Sequence, residues 1–161
     1  MGISSSIVIA DAVPIMALFF KSLKSFIPGN FQYFSFWFFI CFYLQLFFAF
    51  KILKKFTNSN LYSLIGSLFF LITPIFIYRI DYHVGLSGQW VLLFTLYLGL
   101  VHKIDKSQLS WIFLVILSSL IFLYFTAVII VVYSLLKIFS FFLKKENMRN
   151  LLFNTLFFKV F

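Results

Sequence analysis

FQYFSFWFFICFYLQLFFAF, residues 31–50, is a run of twenty residues without a formal charge. As a helix rising about 1.5 Å per residue, such a run covers ~30 Å, the thickness of a bilayer's hydrocarbon core. The run stops at Lys51, Lys54 and Lys55, and the polar turn TNSN follows at 57–60. This reading places residues 31–50 across a membrane with a basic end.

The rest of the chain follows the same pattern. Of its 161 residues, 63% are hydrophobic, 24% aromatic and 11% charged, whereas about a quarter of an ordinary soluble domain is charged. A soluble chain of this length leaves roughly a third of its unfolded surface in contact with water, and a chain so poor in charge cannot cover that third with polar groups. Lipid removes the conflict. The 27 Phe residues, with Ile, Leu, Lys and Asn favoured over Ala and Gly, match the codon bias of an AT-rich genome, so they are not read as an aromatic ligand box.

Further spans are expected at 61–78, with Pro74 near its end, and at 84–101, whose first half is rich in small and polar residues. Residues 3–20 carry Asp11 and Pro14; a carboxylate at a helix centre costs about 2.5–3.5 kcal/mol on insertion scales, so this segment is expected to be interfacial or re-entrant. A signal peptide is not expected, because the first ten residues lack a basic region.

Residues 111–143 contain no acidic group. One helix over this run would be about 50 Å long, more than a bilayer spans. With Lys51, Lys54 and Lys55 cytoplasmic, RIDYH at 79–83 falls outside and Lys103 and Lys106 inside. A hairpin of two short passes, 111–123 and 126–143, turning near Tyr124–Thr126, then returns Lys144, Lys145 and Arg149 to the inside, as the positive-inside bias requires. Residues 151–161 read as the start of a further span. The fold class is therefore all-α, a polytopic helical transmembrane bundle.

The formal charge of +9 sits between apolar runs, as cytoplasmic Lys and Arg do in membrane proteins, and no polar face is left for nucleic acid. Cys41 lies inside an apolar run and is expected to pack as a small hydrophobe. Trp37, Trp90 and Trp111 are read as packing or interface-belt residues. No Walker motif, nucleophile elbow or metal-ligand cluster is present.

The candidate chemistry rests on Asp11, Arg79, Asp81, His83 and Gln89, with the N-terminal segment and the RIDYH loop both assigned to the outer face. Arg79 can clamp a phosphate through two parallel hydrogen bonds, His83 can hydrogen-bond or shuttle a proton, and Asp11 can act as a base or hold a divalent metal. Each also has a structural reading: Arg79 as a headgroup anchor, Asp81 and His83 as a solvated turn, and Asp11 as a cap for a helix starting at Val13–Pro14.

SSSIVIADAVPIMALFFKSL, the 31–50 span with KILKKFT after it, SLFFLITPIFIYRI and HVGLSGQWVLLFTLYL together resemble a bacterial multi-pass family, domain of unknown function 6311, of the GT-C glycosyltransferase-like clan. The resemblance implies an N-terminal portion of a larger membrane domain in the bacterial inner membrane. It also implies transfer of a sugar from a polyprenyl-phosphate carrier, with Asp11 as the catalytic acid or base and Arg79, His83 and Gln89 toward the substrate phosphate. The family places a His and a Tyr at the later hairpin break; here FLYFTAV keeps Tyr124 and lacks the His. The alternative is a non-enzymatic transport or assembly component, or an inactive truncated copy.

Overall fold

The computed structural model describes residues 13–26, 31–101 and 108–157. Within them every regular element is helical: α1 (Pro14–Ser22), α2 (Phe34–Phe56), α3 (Asn60–Leu71), α4 (Pro74–Tyr82), a 3-10 turn at Gly85–Ser87, α5 (Trp90–Val101), α6 (Gln108–Ile121) and α7 (Leu123–Phe157). Two helical stretches are long and apolar enough to cross a membrane, Phe34–Phe56 and Leu123–Phe142; α3, the Gly85–Leu100 stretch and α6 are shorter and apolar.

α2 buries one stripe, Trp37, Cys41, Gln45, Phe48 and Ala49, at the spacing that keeps residues on one helix face. α3 returns antiparallel along it. Thr57 and Ser63 hydroxyls pair at 2.5 Å near the turn, and farther along, a Cβ at Gly66 would lie 2.8 Å from Leu53. The path continues in α4, where Phe76 meets Phe42 edge-on at 5.2 Å.

α5 runs parallel to α2. Trp37 contacts Ser87, Phe48 stacks on Trp90 and Phe94, and Lys55 donates to the Leu100 carbonyl, so positions advance together along both helices. The pairs joining α6 and α7 run the other way: Ser118 pairs with Thr126 at 3.0 Å and Trp111 meets Tyr133 at 5.0 Å, seven residues forward on one helix being seven back on the other. α7 is again parallel to α5, since the start of α5 abuts Ile121 while Gly99 abuts Leu136. The path therefore alternates in direction, with α2, α5 and α7 pointing one way and α3–α4 and α6 the other.

Several boundaries differ from those read in the sequence. The stretch 61–78 is two helices, because Pro74 lacks an N–H and holds Thr73 extended, at φ −60° and ψ 128°. The stretch 84–101 opens with the 3-10 turn before α5 begins. The break in 111–143 falls at Phe122, two residues before Tyr124, where the Ser118–Thr126 bond ties the two sides. Residues 151–157 continue α7 rather than opening a new helix; over its 35 residues α7 extends about 52 Å. In the N-terminal segment, α1 starts at Pro14 as expected, but the residue before it in the cap position is Val13, with no side-chain cap. Residues 3–12, Lys103 and Lys106 lie outside the described residues.

All three tryptophans are buried, which makes them packing residues rather than an interface belt. The outer surface is apolar instead: Phe39 and Phe69 are each 69% exposed and Phe142 is 60% exposed. A Cβ at Gly88 would lie 2.8 Å from Ile121 and 3.2 Å from Trp37. Gly88→Leu is expected to destabilise the bundle by several kcal/mol through overpacking, read as a drop of the thermal midpoint in detergent, whereas Phe69→Leu on the exposed face should leave it nearly unchanged.

Candidate functional site

The site is the break between α4 and α5, residues 83–89. Its sequence, HVGLSGQ, places Gly85, Ser87 and Gly88 within four residues, and glycine costs a helix interior about 1 kcal/mol relative to Ala, so the helix that ends at Tyr82 does not continue. The backbone groups freed by the break find local partners. The N–H of His83 donates to Arg79 O at 2.9 Å, that of Ser87 to His83 O at 3.1 Å, and that of Gln89 to Ser87 O at 2.8 Å.

The break is closed from α2. The indole Nε1 of Trp37 donates to Val84 O and to Ser87 Oγ, both at 3.0 Å. The Ser87 hydroxyl donates to Val84 O at 2.6 Å, which leaves its lone pairs to accept. Cys41 Sγ, one turn along α2 from Trp37, sits 3.7 Å from Ser87 Oγ and is placed to donate its S–H to it. Ser87 and Cys41 are fully buried and Trp37 is 1% exposed.

The sequence-derived site residues distribute as follows. Arg79 lies in the last turn of α4, partly buried, and His83 is the first residue beyond α4, exposed. The last turn of α4 sets these two one turn apart, the His83 N–H bonding the Arg79 carbonyl. Gln89 stands at the other side of the 3-10 turn, partly buried, and its Nε2 is enclosed without a hydrogen-bond partner. Gln45 Oε1 on α2 and Trp90 Nε1 are likewise enclosed without a partner. Enclosed amide and indole groups of this kind cost about 1–3 kcal/mol each when unpaired, so they mark positions where a polar atom of a ligand or a water fits. Asp11, the acid and metal candidate, lies outside the described residues. Among the described residues, no three His, Cys, Asp or Glu side chains converge to hold a metal ion.

Two features were missed from sequence. The Trp37–Ser87–Cys41 cluster was one; its signal was a Trp and a Cys four residues apart on α2, opposite a Gly/Ser-rich stretch. The other is a groove between α6 and α7 whose lining includes Gln108, Trp111 and Tyr133.

The chain matches the family described as a domain of unknown function (DUF6311) over residues 1–160. It belongs to the DUF6311 family. No curated protein and no solved structure matches it.

The DUF6311 chain thus holds a buried, hydrogen-bonded break next to an Arg and a His. Trp37→Phe removes the donor common to Val84 and Ser87 and is expected to cost about 1–3 kcal/mol, while Ser87→Ala, which leaves Trp37 bonded to Val84, should cost less. Chemical unfolding of the two variants in detergent orders them.

Proposed function

We propose that this DUF6311 chain is a multi-pass integral membrane protein of the bacterial inner membrane. In this reading its α4–α5 break presents Arg79, His83 and Gln89 to the phosphate of a polyprenyl-phosphate lipid, as part of a GT-C-like glycosyltransferase. The observation that carries the membrane reading is the apolar exterior: Phe39, Phe69 and Phe142 face outward from a bundle whose interior is already filled. A soluble monomer rarely exposes apolar patches of that extent.

The alternating helix directions support the orientation. Lys51, Lys54 and Lys55 close α2 at the end where α5 finishes, and Lys137 follows Leu136 at that same end. Arg79 and His83 lie at the other end, beside Trp37. Taking the end of Lys51, Lys54, Lys55 and Lys137 as cytoplasmic follows the positive-inside bias for α2 and α7, with Lys21 and Lys24 at the opposite end near Tyr33, and puts the break on the outer side, where polyprenyl-phosphate sugars are used in the clan the sequence resembles. There an Arg pairs with phosphate through charge-assisted hydrogen bonds. The unpartnered Gln89 amide offers a further donor, and Asp11 is the acid or base.

A non-enzymatic transport or assembly role is the second reading. It is favoured by the Trp37 and Ser87 polar atoms being spent on one another, which makes the break a packing joint.

In membrane fractions the chain should stay in the pellet after alkaline carbonate, and reporter fusions should read inside at Asn58 and outside at Tyr82. Arg79→Ala should weaken saturable binding of a polyprenyl phosphate about tenfold or more, the loss of a hydrogen bond to a charged group being worth about 1.5–3 kcal/mol. Sugar incorporation in a full-length relative should fall with it. Carbonate release would overturn the membrane reading. Absence of saturable binding would leave the non-enzymatic role.

A further inference from the structure

The groove between α6 and α7 has a volume of about 400 Å³, within the range of small-molecule sites. Its walls are Ile112, Ile116, Ile130 and the rings of Trp111 and Tyr133, with Gln108 at one end. Ile112, Ile116 and Ile130 are exposed, so the groove opens sideways, toward the surroundings of the bundle rather than into its core.

The groove is polar at one end only. Because α6 and α7 are antiparallel, Gln108 at the start of α6 lies level with the Tyr133–Lys137 turn of α7. Lys137 Nζ sits over the Tyr133 ring, 5.8 Å from its centroid. From Gln108 to Ile116 the apolar wall runs about 12 Å along α6, toward the closed turn at Phe122. One end therefore offers a cation, an amide and a phenol, and the remainder offers only hydrocarbon.

We infer that the α6–α7 groove is a binding site for an anionic glycerophospholipid, with one acyl chain along Ile112, Ile116 and Ile130 and the phosphate at Lys137 and Gln108. Charge complementarity selects this occupant: an acyl chain beneath a net-anionic headgroup matches both ends, whereas a choline headgroup carries the same phosphate but sets a quaternary ammonium beside Lys137 and cancels the net attraction. The site lies at the lysine end of the bundle, opposite Arg79 and His83, and Lys and Arg at that membrane face attract anionic lipids. The inference rests on the membrane reading and is independent of any sugar-transfer activity.

Native mass spectrometry of the full chain, released from nanodiscs of equal phosphatidylglycerol and phosphatidylcholine, tests it. One retained phospholipid is expected, with phosphatidylglycerol favoured roughly fivefold, since a basic residue near the headgroups is worth about that factor. Lys137→Gln should bring the ratio close to one. Ile116→Trp and Ile130→Trp should remove retention of both lipids by filling the groove. Leu135→Trp, on an exposed position of α7 outside the groove lining, should change neither and controls for folding. Equal retention of the two lipids by the unaltered chain, or retention that survives both Trp substitutions, would overturn the groove site. Carbonate release of the unaltered chain would instead overturn the membrane reading beneath it.

Discussion

Surroundings that offer no hydrogen bonds force each backbone N–H and C=O to find a partner within the protein. Helices meet that demand by themselves, and a break in a helix does not. The stretch between α4 and α5 departs from regular α-helix inside the bundle, and the surrounding structure satisfies it. Trp37 supplies an indole N–H to the Val84 carbonyl, Ser87 supplies a hydroxyl to the same oxygen, and a 3-10 turn pairs the intervening amides. Gly88 lets Ile121 approach from α6, so α2, α5 and the α6–α7 turn meet at this one joint.

The remaining packing extends from the joint. Phe48 stacks on Trp90 and Phe94 between α2 and α5, Gly66 admits Leu53, and Gly99 admits Leu136. Small residues at helix crossings, with hydroxyls bonded to their own helix as in Ser67, Thr95 and Ser118, are the packing expected where lipid supplies no hydrophobic force between helices. Beside the buried tryptophans, many phenylalanines lie outside, Phe39, Phe69 and Phe142 among them, and this surface is what supports the membrane reading.

Much of the helical organisation was legible in the sequence. The uncharged 31–50 run contains most of α2, Pro14 starts α1, and the excess length of 111–143 led to a chain reversal within it. The boundaries that moved did so for local reasons. The 61–78 run is uninterrupted by charge, yet the extended Thr73 before Pro74 ends α3 outright. The reversal at Phe122 has neither Gly nor Pro; a hydroxyl pair across it, Ser118 with Thr126, is a tertiary contact that no local pattern announces. Charge spacing points to Arg79 and His83, but the Trp37–Ser87 closure joins residues fifty positions apart, which no local pattern around Trp37 announces. The groove at Gln108 and Tyr133 likewise depends on the register of α6 against α7.

Hydrogen–deuterium exchange of the 84–90 amides in nanodiscs tests the joint most directly. The account predicts slow exchange in the unaltered chain, comparable to the middle of α2, and markedly faster exchange confined to this stretch in Trp37→Phe. Fast exchange at 84–90 in the unaltered chain, or rates indifferent to the loss of the indole, would contradict it.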